Sequence, residues 1–405
     1  METTIKSIPA GTVTSPRGFY AGATHAGVKK KTGDNPDVGI LLSEVPCVAA
    51  ALFTTNRIKG APVILSQERL RSGRATAIVA NSGCANTSTG EAGLADAAGM
   101  ANSTAKVTGV PAGDILVAST GVVGQRLPMN LIRKGIKRIT LATDGGHELA
   151  KAIMTTDTIT KEIALAVRDG GGGFTIGGIA KGSGMIHPNL ATMLCFLTTD
   201  TAIELDFLRT ALKRAVDISF NMVSIDGDTS PNDMVLIMTN GMAGNDPITA
   251  DSCHAGVFQQ ALDRTCIYLA KLLARDGEGA TKLIEVTVGG ALSTGDARIA
   301  ARTVVSSPLV KTAIHGNDPN WGRIVCAAGR SGAEIVEQKL DLCIGNICLV
   351  KDGIPLPVDL KQVVKVLAGS DVMINLQLNL GTATATAWGC DLTEEYVIIN
   401  SKYTT

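Results

Sequence analysis

Residues 181–194 read KGSGMIHPNLATML, and they join a glycine-rich segment to an apolar run that predicts a strand over 192–199. Two interpretations of Thr192 stay open. It either begins a buried strand, where a β-branched residue is expected, or its hydroxyl attacks the carbonyl of Ala191 and cuts the chain. Cleavage would free an α-amino group with a pKa of about 7.7–8.0, which can act as the base for its own hydroxyl.

Composition narrows the class of protein. The 405 residues suffice for two domains or one large layered domain, and its core must be aliphatic because aromatic residues make up only 3%. Lys plus Arg and Asp plus Glu number 37 each, so we expect no nucleic-acid or membrane partner and a small ligand. The chain shows no apolar run near ~18 residues and no signal-peptide pattern, and its nine cysteines form no Cys-x-x-Cys pair. We therefore expect a cytoplasmic protein with reduced cysteines.

The pattern of apolar and turn residues predicts grouped strands and helices. Strands are predicted at 45–55, 76–81, 114–120, 174–181, 192–199, 234–239, 282–288, 341–350, 372–380, 382–388 and 396–400. Helices are predicted at 91–107, 130–142, 206–219 and 252–275, the third capped by Asp206. Such grouping favours an α+β sandwich over a doubly wound parallel sheet. The glycine run at 169–173 is interpreted as a linker that exposes the junction at Thr192.

Three further segments contain candidate functional residues, and each has a simpler structural explanation. Thr120 and Gly121 follow an apolar strand and suit an oxyanion hole, although a simple strand-to-turn exit has the same residues. Lys181 suits a carboxylate ligand or is a solvated surface lysine. Glu278 can meet a substrate ammonium, at the side-chain end or at the α-nitrogen, or is a charged residue in a helix C-terminal turn.

A metal site is not expected. The five histidines show no His-x-x-x-His spacing, which argues against a catalytic zinc. Asp226, Asp228 and Asp233 lie in a loop with Pro231 and are more simply explained as residues that cap turns.

Several blocks of sequence, in order, carry a resemblance to a known family. They are GFYAG (18–22), NSGCAN (81–86), STGV (119–122), MTTDT (154–158), KGSGMIHPNLATML (181–194), SIDGDT (224–229), ARDGEGAT (274–281), NDPNWGR (317–323) and NSKYTT (400–405). Across nearly its whole length the chain resembles the ornithine acetyltransferase (glutamate N-acetyltransferase) family of arginine biosynthesis.

The resemblance implies an enzyme with an αββα fold that cuts itself between Ala191 and Thr192. It implies an α chain of residues 1–191 and a β chain of residues 192–405, which associate as a heterotetramer. The activity implied is transfer of acetyl from N2-acetylornithine to glutamate through an acetyl-threonine, with no cofactor and with acetyl-CoA as a possible further donor. The residues implied are the nucleophile Thr192, the oxyanion-hole pair Thr120 and Gly121, and the substrate contacts Thr155, Lys181, Thr192, Glu278, Asn400 and Thr405.

Two other functions remain open from the residues. An N-terminal-nucleophile amidohydrolase or aminopeptidase would share the cleavage but would use water as the acceptor. An uncleaved binding protein would use the glycine-rich loop alone, and it would run as one band on a denaturing gel.

Overall fold

The computed structural model describes residues 3–29, 35–170, 172–187 and 193–402. Strands β1 to β16, in chain order, are Thr4–Ser7, Phe19–Thr24, Val38–Phe53, Arg74–Asn81, Ile115–Ser119, Lys161–Asp169, Gly172–Lys181, Leu194–Thr199, Val223–Ser224, Met234–Thr239, Leu283–Ala291, Asp341–Ile344, Ile347–Lys351, Ile354–Pro355, Asp371–Gln377 and Ala383–Cys390. Helices α1 to α11 are Ala61–Arg69, Gly90–Thr108, Met129–Ile136, Gly146–Ile153, Leu205–Asp217, Ala255–Arg275, Thr294–Val305, Pro308–His315, Trp321–Gly329, Leu360–Leu367 and Glu394–Lys402.

The larger sheet has β8 at its centre. Its strand order is β1-β6-β7-β8-β10-β3-β4-β5, and β2 pairs with β3 beside this path. All six residues of β8 are buried, as expected for a strand covered on both faces. It pairs antiparallel with β7 and parallel with β10. The predicted α and β chains therefore share this sheet, because β8 and β10 lie between strands from residues before 191.

The long strand β3 divides the larger sheet into two layers. Its register with β4 shifts between Leu42 and Cys47. One buried cluster contains residues of both halves, among them Phe196 on β8 and Leu116 on β5, so the halves pack face to face. Helices α5 and α6 cover the outer face of one half, and α1 to α3 cover the outer face of the other. This layering confirms the predicted αββα arrangement.

A second sheet extends the structure on the side of α6. Its order is β14-β13-β12-β15-β11-β16-β9. The apolar face of α6 is buried at Phe258, Leu262, Cys266, Leu269 and Leu273. Because α6 packs on β6 and β7 and also contacts β16, it links the two sheets.

The strand predicted at 396–400 is wrong, because this segment lies within helix α11. Val397 and Ile398 favour a strand by local propensity, but they are exposed in the helix. Two acidic residues, Glu394 and Glu395, occupy the first helical turn, where they favour the helix dipole. The change matters because α11 carries Asn400.

Other boundaries also differ from the sequence predictions. Glu204, rather than Asp206, caps α5, and its carboxylate accepts from the N–H groups of Asp206 and Phe207. The linker expected at 169–173 instead coincides with the ends of two paired strands, since Asp169 of β6 pairs with Gly172 of β7. Helices α1, α4, α7, α8, α9 and α10 were not predicted, and several of them are short and rich in small residues.

The cysteine prediction is wrong for one pair. Cys343 and Cys348 lie opposite each other on β12 and β13 and form a disulfide, with their Cα atoms 3.9 Å apart. The other seven cysteines are free, and five of them are buried. Burial raises the pKa of the Cys47 thiol to about 12, as expected for a thiol that serves as a small apolar side chain.

Candidate active site

Six of the predicted site residues line one pocket. They are Thr120, Gly121, Thr155, Lys181, Glu278 and Asn400. They come from the ends of β5 and β7, from the segments after α4 and α6, and from α11. Thr192, Ala191 and Thr405 lie outside the described residues, so their predicted roles stay predictions.

Lys181 is buried, contrary to the alternative of a solvated surface lysine. It is the last residue of β7 and is 2% exposed. Its Nζ donates to Thr155 Oγ1 at 2.8 Å and lies 3.5 Å from Thr120 Oγ1. Burial lowers the pKa of Lys181, and nearby Asp157 opposes that shift. The pocket therefore contains a buried lysine amino group that lies beside two threonine hydroxyls.

The Thr120–Gly121 turn is built against the loop after β4. Thr120 N–H donates to Asn81 O at 3.0 Å. Gly121 has a φ of +125°, and a Cβ there would lie 2.4 Å from the carbonyl carbon of Gly83. Only glycine fits this approach. The turn exposes one hydroxyl and one backbone segment to the same pocket, as an oxyanion hole requires.

Asn232, which the sequence analysis missed, ties this turn to a third loop. Its side-chain amide donates to Ala85 O at 2.5 Å and to Ser119 O at 2.8 Å. Its Oδ1 accepts from Thr87 Oγ1 at 2.8 Å. Asn232 is 5% exposed and lines the pocket. A single asparagine in a loop gave no signal of this role, because its partners are distant in sequence.

Glu278 is held from two directions. Its backbone N–H donates to Ser183 O at 2.8 Å, and its Oε2 accepts from Asn400 Nδ2 at 2.7 Å. A Cβ at Gly184 would lie 2.5 Å from the Glu278 carboxyl carbon, so glycine leaves the room that this carboxylate occupies. Helix α11 thus places Asn400 beside Glu278.

Two aspartates fix the residues on each side of the undescribed junction. Asp226 accepts from the N–H groups of Met185 and Ile186 at 2.5 and 2.9 Å. Asp233 Oδ1 accepts from Met193 N–H at 2.9 Å, whereas its buried Oδ2 has no hydrogen-bond partner in the described structure. Burial raises the pKa of Asp233 well above its usual range. The prediction that these aspartates cap turns holds only for the bond from Asp228 N–H to Asp226 Oδ1, at 3.2 Å. The bonds to Met185, Ile186 and Met193 instead join segments that are far apart in sequence.

Neither a metal centre nor a membrane span is present in the described part of the chain. No group of three His, Cys, Asp or Glu side chains there could hold a metal ion. Every helix among residues 3–29, 35–170, 172–187 and 193–402 is too short or too polar to cross a bilayer.

The pocket combines features that acyl transfer needs. The hydroxyl of Thr120 and the backbone of Gly121 can face an oxygen that becomes negative in the transition state. Lys181 can attract a carboxylate, and Glu278 can attract an ammonium, so an acylated amino acid matches the charges of the site. Fold and pocket together define a layered α/β enzyme suited to acyl transfer on small charged molecules.

Comparisons with known proteins identify the family. The model of the ArgJ family matches residues 20–405. The arginine biosynthesis bifunctional protein ArgJ of Dehalococcoides mccartyi (strain CBDB1) is 51% identical over 405 residues, which cover 100% of both chains. The protein of the same name from Bacillus subtilis (strain 168) is 44% identical, over 98% of this chain and 97% of that protein. The chain belongs to the ArgJ family.

A solved structure agrees with this assignment. The crystal structure of arginine biosynthesis bifunctional protein argJ from Bacillus halodurans matches with 44% identity and a TM-score of 0.50, over 51% of this chain and 97% of that chain. Family membership confirms the predictions of an arginine-biosynthesis enzyme and of the glutamate N-acetyltransferase class.

Proposed function

We propose that this enzyme transfers an acetyl group from N2-acetylornithine to glutamate, giving ornithine and N-acetylglutamate. The observation that carries the proposal is the convergence of Lys181, Glu278 and the Thr120–Gly121 turn on one pocket. Ornithine and glutamate share the α-carboxylate and differ in the charge of the side chain. In a site with one buried cation and one carboxylate, the cation can bind the α-carboxylate of both substrates, and the carboxylate can distinguish their side chains by charge.

The nucleophile in this proposal is Thr192, freed by self-cleavage after Ala191. Its neighbour Met193 is anchored by Asp233 and precedes β8, whose first residue, Leu194, pairs with Lys181. The threonine is thus joined to the strand beside the pocket cation. The solved Bacillus halodurans chain also supports cleavage, because the match covers 97% of it but 51% of this chain, so it is about half as long.

The reaction then has two half-reactions that share the pocket. Thr192 Oγ attacks the acetyl carbonyl of N2-acetylornithine while its α-amino group takes the hydroxyl proton. Thr120 and Gly121 stabilise the oxyanion. Breaking the C–N bond passes that proton to the α-nitrogen and releases ornithine, which leaves an acetyl ester on Thr192. The α-amine of glutamate attacks this ester, and its proton returns to the threonine oxygen as N-acetylglutamate forms.

We propose that residues 1–191 and 192–405 remain associated after cleavage. Backbone pairing of β7 with β8 and of β3 with β10 crosses the boundary between the two pieces. Assembly of two such pairs into a heterotetramer and use of acetyl-CoA as a second donor belong to the same proposal. The word "bifunctional" in the names of the relatives supports the second donor. No cofactor is required by these steps.

Acetyl transfer through Thr192 predicts ping-pong kinetics, because the acetyl group rests on the enzyme between donor and acceptor. Incubation with N2-acetylornithine alone should add one acetyl group to the 192–405 piece, as measured by mass spectrometry. Initial-rate lines at several glutamate concentrations should be parallel. Intersecting lines with no labelled chain would contradict the intermediate, and acetate release at the same rate without glutamate would indicate the hydrolase.

Glu278→Gln should change substrate selectivity. If Glu278 faces the side-chain end of the substrate, its charge attracts the ornithine ammonium and opposes the second carboxylate of glutamate. Removing the charge should therefore raise KM for N2-acetylornithine and lower or preserve KM for glutamate. Equal losses for both substrates would instead assign Glu278 to the α-nitrogen.

Lys181→Met is the matched variant for this comparison, because Lys181 is proposed to bind the group that both substrates share. Losing one charge-assisted hydrogen bond should weaken both substrates alike, by about 10–100-fold. The two KM values, measured at saturating concentration of the other substrate, distinguish the common anchor from the selective one.

A further inference from the structure

The nearest negative charge to Lys181 belongs to a residue outside the pocket lining, Asp157. The side chain of Asp157 is fully buried. Its Oδ1 accepts from Lys161 Nζ at 2.7 Å and from Gly182 N–H at 2.6 Å. Its Oδ2 accepts from Thr155 N–H at 3.0 Å and lies 3.9 Å from Lys181 Nζ. One carboxylate therefore holds the backbone on both sides of the Lys181–Thr155 contact.

Lys161 extends these contacts into a buried charge cluster. Its Nζ lies 2.5 Å from Asp276 Oδ2, and the lysine itself is 0% exposed. The positive charges of two lysines thus balance the negative charges of two aspartates. Asp276 precedes the pocket residue Glu278 by two positions in the chain. Hydrophobic residues often replace a buried ion pair without loss of stability, so stability alone does not require such a cluster. Its position between the two charged residues of the pocket points to a role in the site.

We propose that Asp157 is a positioning residue that keeps Lys181 charged and aims its ammonium at the substrate α-carboxylate, with Lys161 holding Asp157 in place. The inference rests on the proposed function. We expect no direct contact between the buried Asp157 side chain and the substrate, so its influence is exerted through Lys181 and Thr155.

Electrostatics around Lys181 support this assignment. Burial lowers the pKa of Lys181, and Lys161 lowers it further, whereas Asp157, Asp233 and Glu278 raise it, Asp157 most strongly. Lys29 carries a further positive charge near Lys181. Burial, together with repulsion from Lys181, lowers the pKa of Lys29 to about 8, although Asp37 raises it. Burial raises the pKa of Asp157 but the two lysines overcome it, so its pKa lies below the usual range and it remains an anion.

These contributions determine in which direction Asp157→Asn shifts the pH dependence of substrate binding. A lysine with a lowered pKa keeps its ammonium below that pKa and loses it as pH rises. Without the negative charge of Asp157 the pKa of Lys181 falls further, so the ammonium disappears at a lower pH. Binding of a carboxylate should therefore weaken at a lower pH in Asp157→Asn than in the wild type.

The test compares N2-acetylornithine with its α-carboxamide, which lacks the negative charge. In Asp157→Asn the ratio of kcat/KM for acid over amide should fall about 10–100-fold, the loss of one charge-assisted hydrogen bond. The alkaline limb of kcat/KM for the acid should move to lower pH. An unchanged ratio and an unchanged limb, with kcat alone reduced, would overturn the proposal, since a purely structural role predicts that result.

Matched variants separate this effect from misfolding. Asp341→Asn removes a carboxylate that also pairs with a lysine, Lys351 at 2.7 Å, but on β12 and away from the pocket. It should keep the wild-type ratio. Asp157→Asn combined with Lys161→Met keeps the cluster neutral and serves if the single variant does not fold. Because Lys161 lowers the pKa of Lys181 but less strongly than Asp157 raises it, the ratio should still fall in the double variant, by a smaller factor.

The wild type supplies one measurement that needs no variant. Its acid-to-amide ratio should decline as pH rises through the pKa of Lys181, which burial lowers below that of a free lysine, because the ammonium then loses its charge. A constant ratio would also overturn the inference. Failure of the proposed function would look different, because the wild type would then transfer no acetyl group from either compound.

Discussion

Thr192→Ala will yield one intact chain that transfers no acetyl group. Alanine has no hydroxyl to attack the carbonyl of Ala191, so neither the cleavage nor the acetyl ester can form. The wild type, at 41.8 kDa for 405 residues, should separate on a denaturing gel into chains of about 20 and 22 kDa by scaling with length. N-terminal sequencing of the larger piece should begin Thr-Met-Leu.

Thr192→Ser is the matched control for this prediction. Serine keeps a hydroxyl and an α-amino group, so it should still cleave and should retain part of the activity. A Thr192→Ala chain that splits at the same bond would show that another agent cuts the protein. A Thr192→Ala chain that stays whole but transfers acetyl at the wild-type rate would remove Thr192 from the mechanism.

The fold explains why loss of cleavage should not mean loss of structure. Strands β8 and β10 are buried on both faces and pair with β7 and β3, which precede the junction. These backbone hydrogen bonds and the core around Phe196 do not depend on the bond at 191–192. We therefore expect the uncleaved variant to be folded, so its inactivity can be attributed to the missing nucleophile and not to loss of structure.

Sequence predicted the centre of this fold well because that centre has strong local patterns. Strands β8 and β10 are continuous apolar runs, and α6 repeats large apolar residues at helical spacing from Phe258 to Leu273. Such patterns mark buried elements. Prediction failed where local preference and tertiary context disagree: Val397 and Ile398 favour a strand, yet they are exposed on helix α11.

In the candidate site, too, the residues on locally patterned elements could be predicted from the sequence, whereas their tertiary partners could not. Thr120, Gly121 and Lys181 stand at strand ends that the sequence marks, and Glu278 follows a predicted helix. The partners that hold them cannot be recognised from the sequence, because Asp157 and Asp276 are separated by 119 residues and are brought together by Lys161, which donates to both. Lys161, the first residue of β6, has no local pattern that distinguishes it from a solvated lysine. Only the folded structure shows that it is buried between two carboxylates.

Thr120→Ala should lower kcat by roughly 10²–10³ while cleavage and folding persist, because one oxyanion-hole donor contributes about that factor. The structure gives this hydroxyl a defined direction. Its oxygen lies within reach of Lys181 Nζ, at 3.5 Å, and a hydroxyl that accepts from an ammonium keeps its own hydrogen to donate. That hydrogen can stabilise the negative oxygen of each tetrahedral intermediate.

The controls for Thr120→Ala separate oxyanion stabilisation from two other roles of the residue. Thr120→Ser keeps the hydroxyl and should retain most of the rate, whereas a cavity effect would appear in both variants. Loss of support for Lys181 would raise KM for both substrates, whereas loss of oxyanion stabilisation lowers kcat at unchanged KM. Thr155 Oγ1, at 2.8 Å, still holds Lys181 in the variant, so we expect the kcat effect to dominate. A Thr120→Ala enzyme with the wild-type kcat would show that the oxyanion is stabilised by groups other than this hydroxyl.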